Sequence, residues 1–413
     1  MSIRFLLSSA LALSTMTLVM AESKTVTVTE AGTLQSQFTT DEMASVTELT
    51  VSGPINKTDL TFVNSSLTAL ETLNLKQSNI IEETIETETY KANTFPASSF
   101  SHNVTLKNIS LPMSITEIGD NAFDFTKLEN VDFSGCANLN MIGLEAFASN
   151  DYLKEVNLSN CTGLVTIGYN AFNSCGNKVD ELGISETSIN LSGCSALTTI
   201  SDYAFSNHKK STAIDFTGCT SLNYIGNRAF NNSKVILLDL SSCSSLETLT
   251  GYSFNLCTKI IDIILPINLK MIEAKTFPNA SSSLVSVKSL ATVPPTLVSG
   301  GFSATGVAKA TLSVPVGAKA AYEADEEWAK FNEIVEDASL SVENAYTENL
   351  KVSAQNNIIK IYNIENGATI NIYNMQGALV VTQIATDNHA EISLPVSGMY
   401  IVKCGKSIAK IML

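Results

Sequence analysis

The chain has 413 residues, 45% of them hydrophobic and 16% charged, the balance of a protein that folds around a sizeable core. A formal net charge of −15, with no Lys/Arg cluster to overrule it, repels phosphate backbones and anionic lipid and argues against nucleic acid as a partner. Beyond the first residues no apolar run approaches the roughly 20 needed to cross a bilayer, so no membrane-spanning segment is expected.

Residues 1–21, MSIRFLLSSALALSTMTLVMA, combine one positive charge at Arg4, an apolar stretch and a Val19-x-Ala21 end, the pattern of a cleavable secretory signal. The mature chain is therefore expected to begin near Glu22. Residues 22–105 include KTVTVTEAGTL, VTELTVSG and LTALETLNL, which alternate at period two and predict an N-terminal cap with irregular first repeats.

Over 106–279 one phrase recurs: SGCANLNMIGLEAF from 134, SNCTGLVTIGYNAF from 159, SGCSALTTISDYAF from 192, TGCTSLNYIGNRAF from 217 and SSCSSLETLTGYSF from 241. Aligned on Phe95, Phe123, Phe147, Phe172, Phe205, Phe230, Phe254 and Phe277, successive spacings are 28, 24, 25, 33, 25, 24 and 23. That is a unit of about 24 residues with one insertion at 176–183, the period of a solenoid. Upstream of each phrase lies an apolar pattern, as in LENVDF and LKEVNL. Its V-x-L residues share one side of a short strand and should face inward, leaving the middle residue outside. Gly143, Gly168 and Gly226 are expected to supply backbone angles that other residues resist. Ala-Phe then closes the coil with the ring inside. One coil cannot cover its own apolar edge, so coils must stack, and equivalent positions meet equivalent partners.

The spelling I-G-x-x-A-F, followed by about three residues and L-x-x-V-x-L, is similar to the BspA-like leucine-rich repeat family of bacterial surface proteins. IGDNAF, IGLEAF, IGYNAF, ISDYAF and IGNRAF carry the resemblance, and LTGYSF and IEAKTF depart from it. It implies a non-enzymatic protein that adheres to host matrix or other proteins, or to other bacterial surfaces.

Residues 280–340 predict the C-terminal cap of the solenoid. Within them Ala321, Trp328, Phe331, Ile334 and Val335 fall at largely helical spacing, so one amphipathic helix is expected over 318–335, with the only Trp in the core. Residues 341–413 turn to short alternating strands separated at ENG, QG, SG and CG, which predict a small β-sandwich. INIYNMQGALV, LPVSGMYIVK and IAKIML in this stretch resemble the C-terminal sorting domain of the type IX secretion system, which implies export across an outer membrane and surface attachment. The fold class expected is mostly β with short helices and turns: a leucine-rich repeat solenoid with caps at both ends, followed by a small C-terminal β-sandwich.

The outward residues of the V-x-L strands form a ladder of Asp132, Asn157, Asn190, Asp215 and Asp239, with Glu155 one position earlier on the same face. Such a row could receive a partner's amides, hydroxyls or basic side chains, or hold calcium through oxygen ligands. It could equally be polar only because it meets solvent. Asp215 and Asp239 should lie about 5 Å apart, a spacing that suits a retaining glycosidase. An open ladder, however, offers neither a cleft nor exclusion of water. Cys136, Cys161, Cys194, Cys219 and Cys243 occupy one position of the phrase and should run side by side as free buried thiols. His102, His208 and His389 lie far apart without zinc-ligand spacing and are assigned structural surface roles. No Ser or Cys triad, phosphate loop or HExxH helix is present, and no cofactor or metal is expected. The function expected is adhesion through the exposed face of the repeats. A surface glycan-processing enzyme and an inert spacer are the alternatives.

Overall fold

The computed structural model describes residues 22–277, 283–340, 351–355, 358–362, 364, 366–374, 379–394, 399–404 and 407–412. The expected secretory signal at 1–21 lies outside the described residues, as do the turns at Gln376-Gly377 and Ser397-Gly398. The chain folds as two units: residues up to 287 with 295–310 and 330–332, and residues 288–294, 311–329 and 333–413.

In the first unit each V-x-L segment is a short strand paired in parallel with its equivalent one coil away. Glu22–Thr27, Val46–Ile55, Thr72–Ile80, Asn108–Ser110 and Asn130–Asp132 form one such sheet. Val156–Asn157, Thr187–Asn190, Ser211–Asp215, Leu237–Asp239 and Asp262–Leu265 form the next. Alternation decides the faces: Val156, Ile189, Ile214, Leu238 and Ile263 are buried, while the residues between them are not. The I-G segments make a second parallel ladder, with Met141–Ile142 joined to Glu117–Ile118 on one side and to Thr166–Ile167 on the other. A helix at Lys57–Ser66 occupies one of the first coils. Asn56 and Asp59 cap it reciprocally, and the buried Asp59 carboxylate also accepts from the backbone N–H groups of Gly32 and Leu34.

The Ala-Phe positions form the axis of this unit. Phe123, Phe147, Phe172, Phe205, Phe230, Phe254, Phe277 and Phe302 stack with centroids 4.9–5.4 Å apart and planes within 19° of parallel. Each ring buries its faces against its own copies, which is the simplest way for a repeat to fill a tubular interior.

The glycines act differently from the expectation. Gly143, Gly168 and Gly226 have no left-handed φ; their role is close approach between coils. A Cβ on Gly168 would lie 2.7 Å from the Gly143 carbonyl carbon, and one on Gly143 would lie 2.9 Å from the Ile118 oxygen. Left-handed angles fall instead on ordinary residues two before and two after the Phe, such as Glu145 (φ 53°) and Ser149 (φ 60°) around Phe147. Hydrogen bonds to the next coil hold these strained turns: Glu145 N–H to Tyr169 O at 2.9 Å, Phe147 N–H to Ala171 O at 2.8 Å and Ser149 N–H to Asn173 O at 2.8 Å. The insertion at 176–183 contains a 3₁₀ turn at Val179–Leu182, closed by Gly183 in the left-handed region.

In the second unit the single helix expected over 318–335 is three elements. A helix at Lys319–Glu323 is followed by a 3₁₀ turn at Trp328–Lys330, and Glu333–Glu336 is a strand parallel to Thr311–Val314. Asp325 breaks the helix, its side chain accepting from the N–H groups of Glu327 and Trp328 at 2.9 and 3.1 Å. The alternating E-I-V-E then pairs as a strand. Trp328 is fully buried, edge-on to Tyr322 at 5.3 Å, and the Tyr322 hydroxyl donates to Ala291 O at 2.9 Å.

Further along this unit are two antiparallel sheets. One contains Lys351–Gln355, Ile358–Tyr362 and His389–Ser393; the other contains Leu379–Ile384, Thr369–Asn374, Met399–Cys404 and Ser407–Met412. Ile359, Ile361 and Ile392 of the first share one buried cluster with Ile370, Ile372 and Val402 of the second, the arrangement of a β-sandwich.

Candidate functional site

Five of the six candidate residues are tied into turns or ion pairs. Asp132, Asn157, Asn190, Asp215 and Asp239 each accept, through a side-chain oxygen, the backbone N–H two residues on: Ser134 at 2.8 Å, Ser159 at 3.2 Å, Ser192 at 3.0 Å, Thr217 at 2.9 Å and Ser241 at 2.9 Å. These are Asx turns, and they end each strand where the chain must leave the sheet. The signal for them is Asx-x-[Ser/Thr] at the strand end, present in all five copies. Asn157, Asn190 and Asp215 stand in register, and the pairing of Ala213 with Leu237 places Asp239 next to Asp215.

Asp132 belongs to the other sheet, paired with Ser110. Burial acts to raise its carboxyl, but hydrogen bonds from Ser134 and the Lys76 ammonium, 2.9 Å away, hold it below the usual carboxylate range. Glu155 is exposed, and lines a depression of about 440 Å³ together with Glu186 and Lys154.

The corner that leads into these strands reads differently along the stack. Glu71, Lys107, Glu129 and Lys154 follow one another on successive coils through backbone hydrogen bonds. Their side chains pair, Lys107 with Glu71 at 2.7 Å and Lys154 with Glu129 at 3.0 Å, so that half of the edge neutralises itself. Toward the other end the same backbone ladder runs through Thr212, Ile236, Ile261 and Val285. Ile236, Ile261 and Val285 are 44%, 38% and 58% exposed, and neighbouring Leu237 is 47% exposed. Isolated exposed aliphatics are ordinary, but four on three successive coils make a contiguous apolar patch. Ile236, Ile261 and Val285 are far apart in sequence and share only one position of the repeat.

The cysteines and one histidine are shut away from solvent. All eight cysteines are free and buried. Burial pushes the thiols of Cys136, Cys161, Cys194, Cys219 and Cys243 up to about 12. His208 is not on the surface as expected: it is 2% exposed, its ring Nε2 lies 2.6 Å from Phe172 O, and burial pushes it down to about 4. It sits three residues after Phe205, where other coils place Asn150, Cys175, Ser233 or Cys257; Asn150, Cys175 and Cys257 likewise donate to backbone carbonyls of the preceding coil, and Ser233 lies 3.2 Å from Cys257 Sγ. His102 stacks on Phe125 with centroids 5.0 Å apart, and His389 is exposed. Among the described residues no group of three or more His, Cys, Asp or Glu is placed to hold a metal ion, and no helix is long and apolar enough to cross a membrane.

A family described as BspA type leucine-rich repeat region matches residues 71–194 and 182–295 in six copies. No curated protein matches the chain. Among solved structures, a leucine-rich repeat protein from Bacteroides ovatus aligns over 72% of the chain at 20% identity, with a TM-score of 0.40; the chain spans 62% of that protein's length. The pneumococcal vaccine antigen PcpA aligns over 71% of this chain and 79% of its own, at 16% identity and a TM-score of 0.26. A leucine-rich cell surface protein from Faecalibacterium prausnitzii aligns over 63% of this chain and 87% of its own, at 14% identity and a TM-score of 0.19.

Proposed function

The chain belongs to the BspA-type leucine-rich repeat family, and from that premise we propose that it is an exported, non-enzymatic adhesion protein that holds another polypeptide against its strand face. The observation that carries this reading is the apolar patch of Ile236, Leu237, Ile261 and Val285 on an edge whose other half is closed by its own ion pairs. Burying aliphatic side chains of this size contributes about 1.5–3 kcal/mol each when they are fully covered. A pre-ordered stack also loses little conformational entropy on binding. On the patch's own strand Asp239 follows Leu237 by two residues, Asp215 stands beside it one coil back, and the chain carries a net charge of −15. The complementary partner is a protein, of host matrix or of another bacterium, that presents an apolar cluster flanked by Lys or Arg.

The leader pattern at 1–21 supports export. The similarity of 341–413 to a type IX sorting domain supports display at the cell surface, with 22–105 and 280–340 capping repeats at 106–279. A glycan-processing role gains no support from Asp215 and Asp239, whose carboxylates are held in turns on an open face. The test is surface plasmon resonance of the full chain against purified matrix proteins and microbial surface extracts. The triple variant Ile236→Ser, Ile261→Ser, Val285→Ser should weaken capture at least about tenfold, a loss on the order of 1.4 kcal/mol. Undiminished capture would move the site off this edge, and capture of nothing would favour the inert spacer.

A further inference from the structure

The Ala-Phe turns of successive coils carry a second surface. Here a depression of about 510 Å³ is lined by Tyr169, Tyr203, Arg228 and a group of asparagines. These asparagines are linked across coils, Asn207 Nδ2 donating to Asn173 Oδ1 at 3.2 Å and Asn255 Nδ2 to Asn231 Oδ1 at 2.7 Å, and Asn232, outside the depression, donates to Asn207 Oδ1 at 3.2 Å. Beside them the rings of Tyr169 and Tyr203 lie 5.7 Å apart, and Tyr169 is 44% exposed. Arg228 donates to the Tyr203 hydroxyl at 2.6 Å, and its guanidinium sits 5.4 Å from the Tyr252 ring centroid.

We propose that this track binds an extended carbohydrate chain, as a site separate from the apolar patch. A side-chain amide has two N–H donors and two acceptor lone pairs, and a relay that spends one donor per link fixes the amide's orientation while leaving a second donor, and at Asn207 and Asn231 a second lone pair as well, for a ligand. A sugar hydroxyl also donates and accepts, so a row of fixed amides matches it better than it matches a charged group. The half-exposed Tyr169 ring offers a flat apolar face for the C–H side of a pyranose. Among the described residues lining the depression, Arg228 is the only charged one, so the site is close to neutral in a chain of net charge −15. Its volume lies within the range of small-molecule sites.

The repeat sets the ligand's geometry. Coils advance by 5.2–5.4 Å at the stacked Phe rings beneath the track, comparable to the rise of one ring in an equatorially linked, extended glycan. A polymer of that kind would present one sugar to each coil. A glycan that coils, as α-linked glucans do, would lose register.

The test is isothermal titration of the full chain with cellohexaose, xylohexaose and mannohexaose, with maltohexaose as the coiled comparison. At least one extended hexaose should bind with a Kd of about 1 mM or tighter. Tyr169→Ala should weaken it at least tenfold and Tyr169→Phe by less than twofold. Arg228→Gln, which releases Tyr203, is a second variant should Tyr169→Ala lose its fold, and it should weaken binding at least threefold. Ile236→Ser, on the other surface, should leave sugar binding unchanged, so the two proposals fail independently. Absence of binding by all three extended sugars, equal binding of maltohexaose, indifference to both Tyr169→Ala and Arg228→Gln, or displacement of the sugar by a polypeptide ligand would each overturn the proposal.

Discussion

The carboxylate of Asp215 accepts the backbone N–H of Thr217 at 2.9 Å, and Asn157 and Asn190 do the same for Ser159 and Ser192 on the coils before it. The row of Asp and Asn is thus first a set of strand terminators. Because an amide oxygen serves as well as a carboxylate, charge and turn can be separated experimentally. Asp215→Asn with Asp239→Asn should hold stability within about 0.5 kcal/mol, whereas each Ala variant should cost about 1 kcal/mol in denaturant unfolding. Equal losses for Asn and Ala would show that charge, and not the turn, fixes the residue.

His208 makes stability depend on pH. Its ordinary value is 6.5 and burial pushes it down to about 4, so between these the unfolded chain binds a proton that the folded chain refuses. Stability is therefore full above about 6.5, falls as pH drops toward about 4, and levels below it, a total on the order of 3 kcal/mol. His208→Cys puts into this rung the residue found at Cys175 and Cys257, and should flatten that part of the urea-midpoint profile. A wild-type slope retained in the variant would assign the dependence to other groups.

Gly168 has no room for a methyl group, since its Cβ would meet the backbone of Gly143 at 2.7 Å. Gly168→Ala should cost about 1–3 kcal/mol by forcing two coils apart. Calorimetry showing an unchanged or raised midpoint would contradict the close approach.

Burial pushes Cys136, Cys161, Cys194, Cys219 and Cys243 up to about 12, so at pH 8 the thiolate fraction is on the order of one in ten thousand. Iodoacetamide should leave all five unlabelled in the native protein and label them in urea, as peptide mass mapping would read. Rapid native labelling at any of the five would mean that its coil opens.

The recurrence of V-x-L, Cys and Ala-Phe was enough to establish a stack of coils, because a periodic sequence can bury its apolar edge only against its own copies. Inward and outward sides followed from strand alternation, and a column of Phe rings followed from the period. The tail's alternating pattern likewise announced antiparallel sheets.

What the chain's spelling left open depended on atoms brought together from different coils. Whether Gly143 and Gly168 were needed for φ or for space turned on how closely neighbouring backbones approach, which no single repeat encodes. Asp325 ended a helix whose apolar spacing ran on past it, because its carboxylate bonded the backbone before the next turn could form. His208 was placed inside by its column and not by its own polarity. Ile236, Ile261 and Val285 became one patch only when three coils lay side by side, since contact between equivalent positions is set by the winding.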